Sequence, residues 1–289
     1  MTKSDIKKEL ISLQQRKRSV GNLMITQVLM LILIIVLLFT AGIRVVYSVG
    51  AATLLYILMV VRPNKNRYTQ NITALECLYG LGADLTDCRY EHMGSLPRDL
   101  LEQTQLVPPR QWDMDAVCRH RVEGSSCGAN ITVSEASFAL RYGPRKSDVS
   151  FVSGTWVRVQ LPKATGLDVR CISRGIQHVS DMLPDLSQYG LSYVPFVDKK
   201  LREAAYAFTS GEDVPGWLEK QFSKLCGSGA RVMLSIRADQ VGILIESRFY
   251  AAKHKLSDQV TEQTLSFNRL PEKAAVLELI RIIQRNAAL

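Results

Sequence analysis

LMITQVLMLILIIVLLFTAGI (residues 23–43), then Arg44, then VVYSVGAATLLYILMVV (residues 45–61) is the stretch on which the fold turns: 39 residues whose one formal charge is Arg44. As one straight helix it would rise about 58 Å, roughly twice the hydrocarbon core of a bilayer. It therefore has to fold back, and Ala41-Gly42-Ile43-Arg44 is where it does so. Glycine relaxes the backbone there, and the arginine reaches toward headgroups. Ser48, Gly50, Ala51 and Ala52 let two helices approach closely in lipid. The reading is a transmembrane helical hairpin over 23–61; its competitor is a single span followed by a buried core helix.

The charges on either side of the hairpin set its orientation. Ten of the 36 Lys and Arg and two of the 27 Asp and Glu lie in residues 1–67, so that part carries +8 and the remaining 222 residues only +1. Six bases precede the first apolar run, three follow the second, and the turn has one. Positive flanks stay on the cytoplasmic side, so both termini and the bulk of the chain are expected there. Arg18, Arg44, Arg62 and Lys65 are the expected membrane-anchoring residues, with membrane lipids as their partners. A near-neutral body excludes nucleic acid as the expected partner despite the pI near 9.3. A composition of 47% hydrophobic and 22% charged residues excludes a disordered chain.

Outside the hairpin, residues 1–22 read as a basic amphipathic helix with Ile6, Leu10 and Leu13 on one face. Residues 62–83 read as a stalk helix with a stripe of Ile72, Leu75 and Tyr79, ended by Gly80 and Gly82. Pairing of these two helices is favoured over a helix lying on anionic lipid. Residues 84–289 read as one α+β domain. A short helix is expected from Ser95-Pro97 to Leu101, and a loop at Pro108-Pro109-Arg110-Gln111-Trp112. A strand is expected at 131–141, with a phase shift near Glu135 that suggests a bulge, and another at 149–161. ARVMLSIRAD-QVGILIESR reads as a hairpin turning at Asp239-Gln240, with Ile236 opposite Ile243. Asp213 is expected to cap a helix bearing Leu218, Phe222 and Leu225. A last helix from about Glu272 turns Val276, Leu279, Ile280 and Ile283 inward. The fold class is α+β, with a mixed, largely antiparallel sheet.

No catalytic template is met. His92, His120, His178 and His254 form no HExxH or i,i+4 pair. Cys118 and His120 are two apart but lack further ligands at metal spacing. Gly124-Ser125-Ser126-Cys127-Gly128 and Gly227-Ser228-Gly229 read as turns rather than phosphate loops. Cys77, Cys88, Cys118, Cys127, Cys171 and Cys226 show no CxxC pair or compact framework, as for thiols kept reduced. The sequence assigns no catalytic, cofactor-binding or metal residue, and no cofactor.

The order of GSLPRDLLEQTQL (94–106), ITVSEASFALR (131–141), SFVSGTWVRVQLPK (150–163), YGLSYVP (189–195) and MLSIRADQVGILIES (233–247) behind a two-span hairpin resembles a bacterial family of membrane-anchored proteins of unknown function. The resemblance implies a multi-pass protein of the bacterial inner membrane with a cytoplasmic domain. It supplies no reaction, and Ser134-Glu135 is the one polar pair it carries over. The expected function is a membrane-anchored interaction or scaffold module that docks another protein. The competing expectation is a membrane-anchored enzyme acting on a lipid or small molecule, with Glu135, Cys118 and His120 converging in a pocket. A channel is a third reading, weakened by Arg44 being the sole charge in the spans.

Overall fold

A computed structural model describes residues 3–40, 43–106, 116–141, 149–176, 186–246, 260–265 and 270–287. The chain forms two compact units, Met1–Glu76 with Ala252–Phe267, and Cys77–Ala251 with Asn268–Leu289.

In the first unit, α1 (Lys3–Thr40) is one unbroken helix of 38 residues. The basic segment expected as a separate helix over 1–22 continues directly into the apolar run. Between Arg18 and Leu23 there is no proline, and Gly21 costs only about 1 kcal/mol against alanine, too little to end a helix that cooperative hydrogen bonding propagates. The chain returns as α2 (Ile43–Tyr56), a π turn over Ile57–Val61, and α3 (Arg62–Gly80). The π turn lies just before Pro63, whose ring would otherwise clash with a carbonyl one turn back and which has no N–H to donate. The wider turn accommodates both, so the stalk starts without a break. Two helices, within Lys8–Thr40 and Ile43–Gly80, are long and apolar enough to cross a membrane. α1 and α2 pack against one another, but not through the expected small residues: Ser48, Ala51 and Ala52 are exposed, and a Cβ added at Gly50 would meet nothing within 4 Å. Toward the basic end Leu13, Tyr68 and Ile72 are buried, and Leu10, Leu13, Gln14, Lys17 and Tyr68 line a cavity of about 280 Å³ with Val260 and Thr261. The pairing of α1 with α3 is thus shared with a third segment, which contains the one-turn helix α7 (Glu262–Leu265). No periodicity at 260–265 announces this return. The side chain of Ile6 lies outside the described residues.

The second unit holds a sheet of nine strands among the described residues. They are β1 (Thr86–Leu96), β2 (Ala116–Ser126), β3 (Ala129–Arg141), β4 (Val149–Gln160), β5 (Asp168–Ser173), β6 (Ser192–Val194), β7 (Ala205–Thr209), β8 (Val232–Arg237) and β9 (Gln240–Glu246). Their order is β1-β2-β3-β4-β9-β8-β5-β7-β6. Every described pairing is antiparallel rather than mixed; β7 and β8, joined through the helix at 216–226, run parallel to one another but are held apart by β5, which pairs antiparallel with both. Residues 86–96 are a strand where the sequence gives mixed periodicity. The helix expected from Ser95 is only α4 (Arg98–Glu102), with Pro97 at its N-cap, and a second short helix, α5 (Lys199–Ala204), is capped by Asp198 ahead of β7. The expected loop at 108–112 lies outside the described residues.

Both faces of the sheet are covered. α6 (Gly216–Cys226) and α8 (Lys273–Ala287) send Leu218, Phe222, Leu225, Val276, Leu279, Ile280 and Ile283 into the larger core, as the helical spacing predicts. Lys224 Nζ donates to Glu278 Oε1 at 2.8 Å between them. Pro215, not Asp213, occupies the N-cap of α6, since its fixed φ suits the entry and no side chain caps it. A smaller core gathers Leu101, Leu106, Phe138, Trp156, Ile172 and Leu244 on the other face.

Two covered faces explain the phase shift near Glu135. The register of β3 with β4 runs unbroken from Asn130 to Arg141. Ile131 and Val133 enter the larger core, and Ala136 and Phe138 enter the smaller. Burial changes face along a regular strand; the irregularity itself lies in β2, between Arg119 and Val122. In the β8–β9 hairpin the turn is Ala238-Asp239, Ile236 faces Val241 and Leu234 faces Ile243. This is two residues from the expected register. A slip of two keeps every apolar side chain on its face, so the hydrophobic pattern cannot distinguish the two pairings.

Candidate functional site

β1 and β2 pair with Tyr90 opposite Val122, Glu91 opposite Arg121 and Met93 opposite Arg119, which sets His92 across from His120. Tyr90 and His92, two apart, project on the same side of β1. On β2 the bulge puts His120 and Arg121 opposite the single residue Ser134 of β3, and His120 adopts a left-handed φ of 53°. That conformation costs a non-glycine residue free energy and re-aims its side chain. The result is a cluster: Tyr90 Oη lies 2.8 Å from His120 Nδ1 and 3.3 Å from His92 Nδ1. The two imidazoles meet edge-on with centroids 5.0 Å apart. All three residues are half-buried. Burial pushes the Tyr90 phenol well up, and Cys77 and Glu135 push it further. Arg121 pairs with Glu91 at 3.5 Å and with Glu123 beside it.

The three residues weighed for an enzyme do not converge. His120 and Glu135 both act on Tyr90, which packs against the larger core, whereas Cys118 is buried in the smaller one. Ser134 Oγ donates to Cys118 Sγ at 3.8 Å, and burial pushes that thiol up. Ser134 and Glu135, adjacent on an extended strand, point to opposite faces, so they are not a polar pair in space. Arg18, Arg44, Arg62 and Lys65, the residues expected to anchor the hairpin, are all exposed and flank the apolar runs. His178 and His254 lie outside the described residues.

A second polar centre holds the fold rather than a ligand. The fully buried Arg170 on β5 donates through Nη1 to Val169 O at 3.0 Å and Ile236 O at 2.9 Å. Its Nη2 donates to Gln105 Oε1 at 2.7 Å, and Asp168 Oδ1 lies 2.7 Å from Nη1. Burial pushes its pKa down and Asp168 opposes the shift. Ser235 Oγ donates to Thr104 O at 2.6 Å. Together these contacts latch the turn after α4, where Gln105 has φ 52°, onto β5 and β8.

Tyr90 and Arg170 escape the sequence reading, and His92 enters it only as one of four histidines without metal-binding spacing. For Tyr90 and His92 the available signal is the Tyr-x-His spacing, legible only once 86–96 is recognised as a strand. Among the described residues no group of three or more His, Cys, Asp and Glu is placed to hold a metal. No protein-family model, curated protein or solved structure matches the chain. The class that fold and sequence define is an α+β protein with a large antiparallel sheet and two N-terminal helices long and apolar enough to span a membrane.

Proposed function

We propose that this chain is a membrane-anchored interaction module. The α1–α2 hairpin lies in a bacterial inner membrane, both termini are cytoplasmic, and the sheet domain docks another protein on the cytoplasmic side. The observation that carries the reading is the apolar surface left bare on the helices. Leu29 is 60% exposed, Phe39 85% and Met59 73%, whereas the apolar residues of the central strands are buried in two cores. Arg18 to Thr40 rises about 33 Å and Arg44 to Arg62 about 27 Å, which brackets a hydrocarbon core of about 30 Å. The base-rich flanks support the orientation.

For the protein partner, β1 is the favoured surface. It is an edge strand of 11 residues, paired among the described residues with β2 alone, and it carries Met93 at 52% exposure. An edge of that length offers a row of backbone donors and acceptors to an added strand. Crosslinking in native membranes should recover one reproducible partner, and Met93→Lys should deplete it without lowering the melting temperature. Recovery of no partner under conditions that trap known complexes sinks the proposal. The dispersal of Cys118 from His120 and Glu135 leaves the enzymatic alternative without a supporting observation.

A further inference from the structure

We propose that Tyr90, His92 and His120 form a binding site for one divalent transition-metal ion of the zinc class. Three donor atoms, a phenol oxygen and two imidazole nitrogens, converge from two paired strands. An ion bonded at about 2.0–2.1 Å has ligand-to-ligand edges of roughly 2.9 Å at a right angle and roughly 3.3 Å at the tetrahedral angle. The Oη–Nδ1 separations of 2.8 and 3.3 Å fall at two of the three such edges; both are hydrogen bonds of the metal-free cluster, which the ion would replace as the phenol loses its proton.

Local construction points the same way. Residues i and i+2 of one strand and a cross-strand neighbour are the three positions whose side chains meet on one side of a sheet. His120 reaches that meeting point through the bulge and its left-handed φ of 53°. The residues are half-buried, so an ion can arrive from solvent and is then partly shielded from it. Imidazole and phenolate suit Zn2+ or Cu2+ better than Mg2+ or Ca2+, which prefer arrays of carboxylate and carbonyl oxygens. Binding through the phenolate releases the Tyr90 proton to solvent.

The test is titration of the full chain in detergent micelles with Zn2+ by calorimetry, and with Co2+ by visible absorption. Cys127, the exposed thiol, is replaced by serine in every sample. The expected result is one ion per chain with a Co2+ spectrum of nitrogen and oxygen ligation. His92→Gln and His120→Asn should each weaken binding by more than about tenfold; asparagine tolerates the left-handed backbone that position 120 needs. Tyr90→Phe should weaken it and abolish the proton release. Melting of each variant without metal establishes that it folds. No saturable binding, affinity unchanged in both histidine variants, or a thiolate-to-cobalt charge-transfer band would each overturn the proposal, the last two by assigning the ion to other residues.

Discussion

Arg170 shows how far a residue's role can lie from its local sequence. In DVRCIS it reads as an ordinary polar position of a strand. Its partner Gln105 is 65 residues away, and no periodicity connects them. Because the guanidinium is buried and bonded to two backbone carbonyls, Arg170→Ala leaves those acceptors and Gln105 without donors and opens a void. It is expected to lower stability by about 3 kcal/mol in urea denaturation. A loss under about 1 kcal/mol would mean that water replaces the guanidinium freely.

Cys171, beside it on β5, makes the pH dependence readable. Burial pushes this thiol far above its ordinary value, and Cys226 and Glu219 add to the push. The folded state therefore holds the proton where the unfolded chain releases it near pH 9.0. The contribution is intact below that pH and falls as pH rises, with a slope of about 1.4 kcal/mol per pH unit. Denaturation midpoints should drop between pH 9 and 10, and less steeply in Cys171→Ala. An equal slope in both proteins would assign the loss elsewhere.

At the scale of elements, the sequence was most informative where burial is one-sided and least where it is not. α6 and α8 follow their apolar spacing residue for residue. β3 and β4, covered on both faces, show apolar residues that change phase, and this was read as a bulge in β3. β1, half exposed with charges interleaved, has no pattern strong enough to reveal a strand, so nothing in the sequence brings Tyr90 and His92 to one face or joins them to His120.

Gly154 on β4 gives a direct test of the β4–β9 seam. A Cβ built there would lie 2.1 Å from Ile245 O, a backbone atom with no room to yield. Gly154→Ala should force the two strands apart and cost about 2–4 kcal/mol, visible as a fall in melting temperature. Full stability in this variant would show that β4 and β9 lie further apart than described here.

For the whole molecule, the two long apolar helices and the charge split between residues 1–67 and the rest are legible in the sequence, whereas the joining of 260–265 to the helices depends on contacts that no local pattern records. The proposed orientation places the exposed Cys127 inside the cell. A membrane-impermeant maleimide should leave it unlabelled in intact cells and label it after lysis; labelling before lysis would reverse the topology.

The described residues 260–265 belong with the helices of the first unit, whereas the described chain before them, up to 246, and after them, from 270, belongs to the second. One cut after Glu76 therefore does not yield a clean water-soluble half. Such a fragment retains residues 252–267, including Leu265, which is 1% exposed in the intact chain. Deprived of its helical host, that insert becomes a sticky loop, and residues 77–289 should self-associate in light scattering. Replacing 252–267 with a short glycine-serine bridge should restore a monodisperse preparation, and failure to do so would show that the insert is not what adheres.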